Sequence, residues 1–243
     1  MTYEELKIYI DLNEPIDVLK SIGRQTKDKD KDKDKDWFVI CDEGDCHLFD
    51  DKGNEIDVKK IKSLNEWLIP EDIKKIIIPD SIKEIEDCAF CECENLKSIF
   101  ISDSVKRIGD SAFFNCIKLT SINIPNSVES IEAYAFGHCE NLTSVNIPES
   151  VKSIENAAFY YCRNLKSINN LKLIKTIGDY AFSNCENLTS MIILNSIKHI
   201  GYYAFHGCKN LKSLTFNRKT IDQVKSMEYY PWGIKDESII KCI

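Results

Sequence analysis

The apolar positions of this chain recur every 23 residues. Phe90, Phe113, Phe136, Phe159, Phe182 and Phe205 stand one such step apart, and each is preceded by an alanine, from Ala89 to Ala204. Three residues after each phenylalanine comes a cysteine (Cys93, Cys116, Cys139, Cys162, Cys185, Cys208), and three further on a leucine, from Leu96 to Leu211. Ile85, Ile108, Ile131, Ile154, Ile177 and Ile200 keep the same step. A fixed period of this size over most of a chain predicts a solenoid. One unit cannot bury its apolar face alone, whereas stacked units share a continuous core.

Each unit has internal grammar. In Leu96-Lys97-Ser98-Ile99-Phe100-Ile101, residues 99 and 101 alternate with polar or outward positions as a short strand requires. A turn follows, with proline in some copies (Pro79, Pro125, Pro148), and then an apolar pair spaced by three, such as Val105 and Ile108. The small-residue segment Gly109-Asp110-Ser111-Ala112-Phe113 reads as one helical turn whose alanine lets the next coil approach closely. Equivalent strands are expected to pair in parallel at about 4.8 Å, forming a long sheet on one side.

The register runs past the six copies. Ile73, Ile76 and Ile78 occupy strand positions one step earlier, and Trp67 falls where phenylalanine belongs. Residues 61–216 therefore read as one degenerate opening repeat plus six full repeats, and 217–243 as a C-terminal cap. In that cap Thr220-Ile221-Asp222-Gln223 has capping-box spacing, which predicts a short helix, and Pro231-Trp232-Gly233 belongs to an atypical exit coil. Residues 1–60 read as an N-terminal segment that caps the opposite end or forms a separate small domain. Its five Lys-Asp pairs (27–36) have no apolar side chain and read as a loop. Trp37–Ile40 and His47–Phe49 read as a hairpin.

The pattern resembles the BspA-like leucine-rich repeats. The resemblance is carried by Ile124-Pro125-Asn126-Ser127-Val128-Glu129-Ser130-Ile131, then by Ala135-Phe136-Gly137-His138-Cys139-Glu140-Asn141-Leu142, and it covers residues 73–216. It implies an α/β-type leucine-rich repeat solenoid: a right-handed coil with a parallel sheet on one face and short strands and helical turns elsewhere. It also implies a binding or adhesive role, with no catalytic residues to carry over.

Composition narrows the function. The net charge of -7 gives no general attraction for nucleic acid or anionic lipid. No run of apolar residues is long enough for a membrane span, and Met1-Thr2-Tyr3-Glu4-Glu5 lacks the basic start of a secretory signal. A cytoplasmic location is expected, or a cell-surface or secreted one if a signal was removed. The eleven cysteines are odd in number and lie in a long chain, which argues against a disulfide framework. One cysteine per coil makes a line, whereas zinc needs four ligands around a point, so the ladder reads as small core residues. Cys41, Cys46, His47, Cys88, Cys91 and Cys93 have loosely ligand-like spacings, but thiols without metal are the simpler reading, and no cofactor or metal is expected. No phosphate-binding glycine loop or nucleophile motif is present, and the four histidines read as surface or turn residues.

The outward strand positions are the candidate partner-binding surface. Ser98 heads a serine column; Phe100, Asn123, Asn146, Asn169, Ile192 and Thr215 form the next; Lys97, Thr120, Thr143, Lys166 and Lys212 lie just before the strands. Another protein is the expected partner, bound by a monomer. The alternatives are a structural or adhesive arm of a larger assembly, viral or cell-surface, and an N-terminal domain with its own activity. One coil departs from the rest: Asn170 stands at an inward position, so Leu171 or Leu173 is expected to turn inward instead.

Overall fold

The computed structural model describes residues 83–243 together with the strands Trp37–Asp42, Asp45–Asp50, Glu55–Ile56 and Lys75–Ile78. Trp67, Ile73 and the Lys-Asp run lie outside the described residues. The described part of the N-terminal region is a three-stranded antiparallel sheet: Trp37–Asp42 pairs with Asp45–Asp50, which pairs with Glu55–Ile56.

From Lys75 onward the chain winds as a stack of coils. Lys75–Ile78 pairs in parallel with Ser98–Ile101, Ile122 bridges Val145, and Ser144–Asn146 pairs with Ser167–Asn169. Ser190–Ile193 pairs with Ser213–Phe216, which takes the closing strand Ile240–Cys242 on its far side. The pairing is residue-for-residue at the 23-residue step, for example Val145 with Ile168 and Ile77 with Phe100. Inward isoleucines are buried and their outward neighbours exposed, as in the burial of Ile99 and Ile101 around exposed Phe100. A second parallel ladder, two residues wide, occupies another side: Glu84–Ile85, Arg107–Ile108 and Ser130–Ile131, then Ser153–Ile154, Thr176–Ile177 and His199–Ile200.

The core is a set of columns. The six phenylalanines are fully buried, and successive rings stack nearly parallel with centroids 5.1 to 5.8 Å apart. Beside them each cysteine thiol donates to the carbonyl of the phenylalanine one coil back: Cys116 to Phe90, Cys139 to Phe113, Cys162 to Phe136, Cys185 to Phe159 and Cys208 to Phe182, at 3.0 to 3.2 Å. A valine would fill similar space but make no such bond, and a serine would bury a hydroxyl in an apolar column.

The third side corrects the expected helical turn and, with it, the α/β label. Gly109–Phe113 is a chain of tight turns, not helix. Ser111 and Asn115 adopt left-handed backbone, with φ of 54° and 59°, and the equivalent residues do so in every coil. Backbone N–H groups alternate in direction. Those of Ala112, Phe114 and Cys116 bond back within the coil, to Gly109, Ser111 and Phe113; those of Ser111, Phe113 and Asn115 donate to Ala133, Ala135 and Gly137 of the next coil. A left-handed residue ends any helix by rotating its N–H out of line, and here that N–H knits neighbouring coils together. The sole α-helix among the described residues is Ile221–Lys225.

This backbone makes a prediction of opposite sign to a helix. Glu92 sits at φ 61° with an exposed side chain. Left-handed backbone costs a non-glycine residue about 1–2 kcal/mol, against about 0.5–1 kcal/mol for the extra chain entropy of glycine. Glu92→Gly is therefore expected to raise the urea midpoint by about 0.5–1 kcal/mol equivalent, where a helical turn would be weakened.

The C-terminal end closes as an atypical coil. Thr220 caps the helix Ile221–Lys225: its hydroxyl accepts the Gln223 N–H at 3.3 Å and the Gln223 side chain accepts the Thr220 N–H at 2.9 Å. Trp232 is fully buried with its ring 5.5 Å from Phe216, and its carbonyl accepts the Phe205 N–H that an alanine carbonyl accepts elsewhere. In the irregular coil it is Leu171 that turns inward; Leu173 stays exposed. Asn170 adopts φ 62°, and its amide donates to the Ile147 carbonyl at 2.9 Å, which satisfies it.

Candidate interaction surface

The strand side displays its outward columns in rows, but the expected long sheet is interrupted: Lys75–Ile78 with Ser98–Ile101, Ser144–Asn146 with Ser167–Asn169, and Ser190–Ile193 with Ser213–Phe216 and Ile240–Cys242 are separate hydrogen-bonded pieces. Lys97, Thr120, Thr143, Lys166 and Lys212 are exposed along the edge where the chain enters the sheet. Thr143 is tied back, its hydroxyl donating to the Thr120 carbonyl at 3.2 Å. Ser98 is half-buried within the serine column, as Ser213 is, whose hydroxyl bonds that of Thr215 at 2.9 Å. In the next column Phe100 and Ile192 are 59% and 55% exposed, Asn123, Asn146 and Asn169 are exposed between them, and Thr215 is half-buried. The sequence-selected residues thus fall on one face. What that face binds is a separate question.

The other flank is electrostatically self-satisfied. Arg107 donates to Asp87 at 2.6 Å and lies 3.5 Å from Glu132. The guanidinium holds the Asp87 carboxyl below its ordinary range, aided by the Asp110 N–H that donates to it. Glu84, Ser130, Ser153, Thr176 and His199 continue that column without a common sign.

Cys116, Cys139, Cys162, Cys185 and Cys208 are free thiols. Burial pushes their pKa up, to about 12 for Cys208. A nucleophile or metal ligand needs the thiolate, so these groups are held in the unreactive form.

Two columns carry more than the sequence suggested. Asn141, Asn164, Asn187 and Asn210 form an amide ladder on the approach to the sheet, each side chain donating to the Oδ1 of the one before, at 3.0 to 3.4 Å, with Asn141 donating to the Ile117 carbonyl. Their 23-residue spacing was the available signal. On the turn side a band of tyrosines and histidines spans the coils. His138 stacks on Tyr161 at 4.8 Å, His199 meets Tyr229 and lies 3.7 Å from Glu228, and His206 meets Tyr203. Burial lowers the pKa of His138. These histidines are members of an aromatic surface.

The BspA type leucine rich repeat region, in six copies, matches residues 69–188 and 129–236. This chain belongs to the BspA-type leucine-rich repeat family. Two solved structures, from Bacteroides ovatus and Eubacterium ventriosum, share the solenoid fold. A leucine-rich repeat protein from Bacteroides ovatus is 20% identical, with 86% of this chain and 75% of that one covered and a TM-score of 0.50. One from Eubacterium ventriosum is 22% identical, with coverages of 70% and 49% and a TM-score of 0.51. A leucine rich cell surface protein from Faecalibacterium prausnitzii is 25% identical, with coverages of 74% and 54% and a TM-score of 0.49. The chain thus spans about half the length of the last two. No curated protein matches it. Among the described residues of this BspA-type solenoid, no helix is long and apolar enough to cross a membrane.

Proposed function

We propose that the chain is a non-catalytic recognition module that presents its wide sheet to another protein. The observation that carries this reading is the pair Phe100 and Ile192, large apolar side chains more than half exposed in one outward column. They are four coils apart, about 19 Å at the spacing of paired strands, and Asn123, Asn146 and Asn169 lie between them. Apolar side chains on a rigid rib cost little ordering entropy on binding and serve as anchors; the asparagines offer hydrogen bonds along the gap. Lys97, Lys166 and Lys212 at the edge suit an acidic rim on the partner, and the net charge of -7 disfavours nucleic acid.

Affinity capture from the native source, with Phe100→Asp and Ile192→Asp compared against the unaltered chain, tests the reading. Truncating an anchor costs about 2 kcal/mol or more, so each charge substitution is expected to reduce recovery of the true partner about thirtyfold while leaving the melting temperature unchanged. Equal recovery of every captured protein would exclude this face. The module is proposed to act as a monomer; mass that grows with concentration in light scattering would favour a structural arm.

A further inference from the structure

The core calls for one thiol per coil, yet the first full repeat carries three. Cys93 belongs to the buried column, and Cys88 and Cys91 are additions to it. At the position of Cys88 the later repeats carry Ser111, Tyr134, Ala157, Tyr180 and Tyr203. At the position of Cys91 they carry Phe114, Gly137, Tyr160, Ser183 and His206. Both positions accept small residues and rings alike, so coil packing does not require cysteine at either. Cysteine fills both in one repeat only, spaced as Cys88-Ala89-Phe90-Cys91.

The backbone brings the two thiols together. Cys88 takes left-handed backbone at φ 56°, and the Cys91 N–H donates to the Cys88 carbonyl at 3.0 Å, which closes a tight turn. The end residues of such a turn have Cα atoms less than about 7 Å apart, and a disulfide spans about 4.4–6.8 Å. Ala89 and Phe90 are buried and anchor the turn in the core, while Cys88 and Cys91 flank them half-buried. The next coil holds the turn in place: the Cys88 N–H donates to the Asp110 carbonyl at 2.8 Å and the Glu92 N–H to the Phe114 carbonyl at 2.7 Å. In the last full repeat Tyr203 and His206 stand at these same two positions, and their rings meet with centroids 4.9 Å apart. Side chains at this pair of positions therefore converge.

We propose that Cys88 and Cys91 are a redox-responsive dithiol, which closes to a disulfide by exchange with a low-molecular-weight disulfide of the glutathione class. The thiolate of one cysteine attacks a sulfur of the small disulfide, whose S–S bond breaks; a mixed disulfide forms and one small thiolate leaves. The other cysteine, as thiolate, attacks the protein sulfur of the mixed disulfide, so that the Cys88–Cys91 bond forms and the second small thiolate leaves. Each leaving thiolate takes up a proton that a cysteine released. Two electrons pass from the protein pair to the small disulfide, and exchange with the reduced small thiol reverses the reaction. Because both sulfurs ride on one anchored turn, the second step is intramolecular and well oriented. The core column is unsuited to this chemistry. Cys116, Cys139, Cys162 and Cys185 are fully buried, with their pKa raised, and Cys93 is buried beside them, whereas exchange needs an accessible thiolate. Two sulfurs on one turn also fall short of the four ligands of a structural zinc site. The pair lies on the turn side, so it is independent of the strand-side reading built on Phe100 and Ile192.

Equilibration of the folded full chain across a series of oxidised-to-reduced glutathione ratios tests the proposal, with acid quenching, alkylation in denaturant, tryptic digestion and mass spectrometry. Cleavage after Lys83 and Lys97 leaves Cys88, Cys91 and Cys93 in one peptide. In oxidised glutathione that peptide is expected to lose two hydrogen atoms, with Cys88 joined to Cys91 and Cys93 alkylated; reduced glutathione should restore all three thiols. Cys88→Ser and Cys91→Ser are each expected to abolish the link and leave a glutathione adduct on the remaining cysteine. Both variants should fold, since Ser111 and Ser183 occupy these positions in later repeats. Thiols unchanged in fully oxidised glutathione, a link to Cys93 or to the peptide carrying Cys41 and Cys46, or closure seen only after unfolding in urea would overturn the proposal. So would equimolar zinc that survives dialysis and shields both thiols from alkylation.

Discussion

Between about pH 8.5 and pH 10 this protein is expected to lose most of its stability. Cys116, Cys139, Cys162, Cys185 and Cys208 share one column, and burial raises the pKa of each above the ordinary thiol value, with neighbouring thiols adding for the first four. The native state therefore keeps protons that the unfolded chain releases. A raised folded pKa contributes stability that is intact below the unfolded value, about 8.5 for cysteine, and is lost as pH climbs toward the folded value. The slope is about 1.4 kcal/mol per pH unit per thiol, so five titrating together give about 7 kcal/mol per unit. A domain is stable by about 5–15 kcal/mol in total. About one to two pH units should exhaust it.

The test is urea unfolding at a series of pH values. The raised tyrosines, Tyr160 and Tyr230 among them, would deepen the loss only near and above their ordinary value of 10, so the window below 10 isolates the thiols. Cys139→Val with Cys162→Val should cut the alkaline slope by about two fifths, at a cost in baseline stability from the lost thiol-to-carbonyl bonds. A slope that ignores these substitutions would place the alkaline sensitivity elsewhere.

How much of this was readable from the chain follows from what repeats and what does not. The phenylalanine, isoleucine and cysteine columns were legible because burial demands the same residue at the same step in every coil. Thr220 and Gln223 were legible because a capping box is local chemistry. The outward columns followed from strand alternation. The turn side was misread as helical because its left-handed positions hold Ser111, Tyr134, Ala157 and Tyr180, none of which announces positive φ as glycine would; the backbone is held there by bonds to the next coil. Trp232 takes the alanine's place in the bond to Phe205 but stands 28 residues after Ala204 rather than 23, so spacing alone could not place it in the core. The band of tyrosines and histidines escaped because its rings occupy different columns in different coils, so an alignment of single repeats shows mere variability.

Phe136→Ala is expected to cost about 3–5 kcal/mol, and the loss should be felt differently at the two ends. Phe136 stands midway in the ring column, 5.4 Å from Phe113 and 5.5 Å from Phe159, and its carbonyl accepts the Cys162 thiol. Truncation opens a cavity that neighbouring rings cannot fill, because each is fixed in its own coil. A solenoid coil contacts only its neighbours, so stability is a sum of unit and interface contributions. Weakening the central interface separates the coils before it from those after it. Phe90→Ala, at an equally buried position in the first full repeat, removes as much apolar area but frays only that end. Trp232, buried at the far end, distinguishes the two in a Trp37→Phe, Trp67→Phe background. Its fluorescence transition should hardly move for Phe90→Ala, while circular dichroism records an early loss. For Phe136→Ala both signals should shift, and the circular dichroism transition should broaden or divide. Identical shifts in both probes for both variants would mean that the chain unfolds as one cooperative block, with the coils coupled more tightly than their neighbour contacts alone provide.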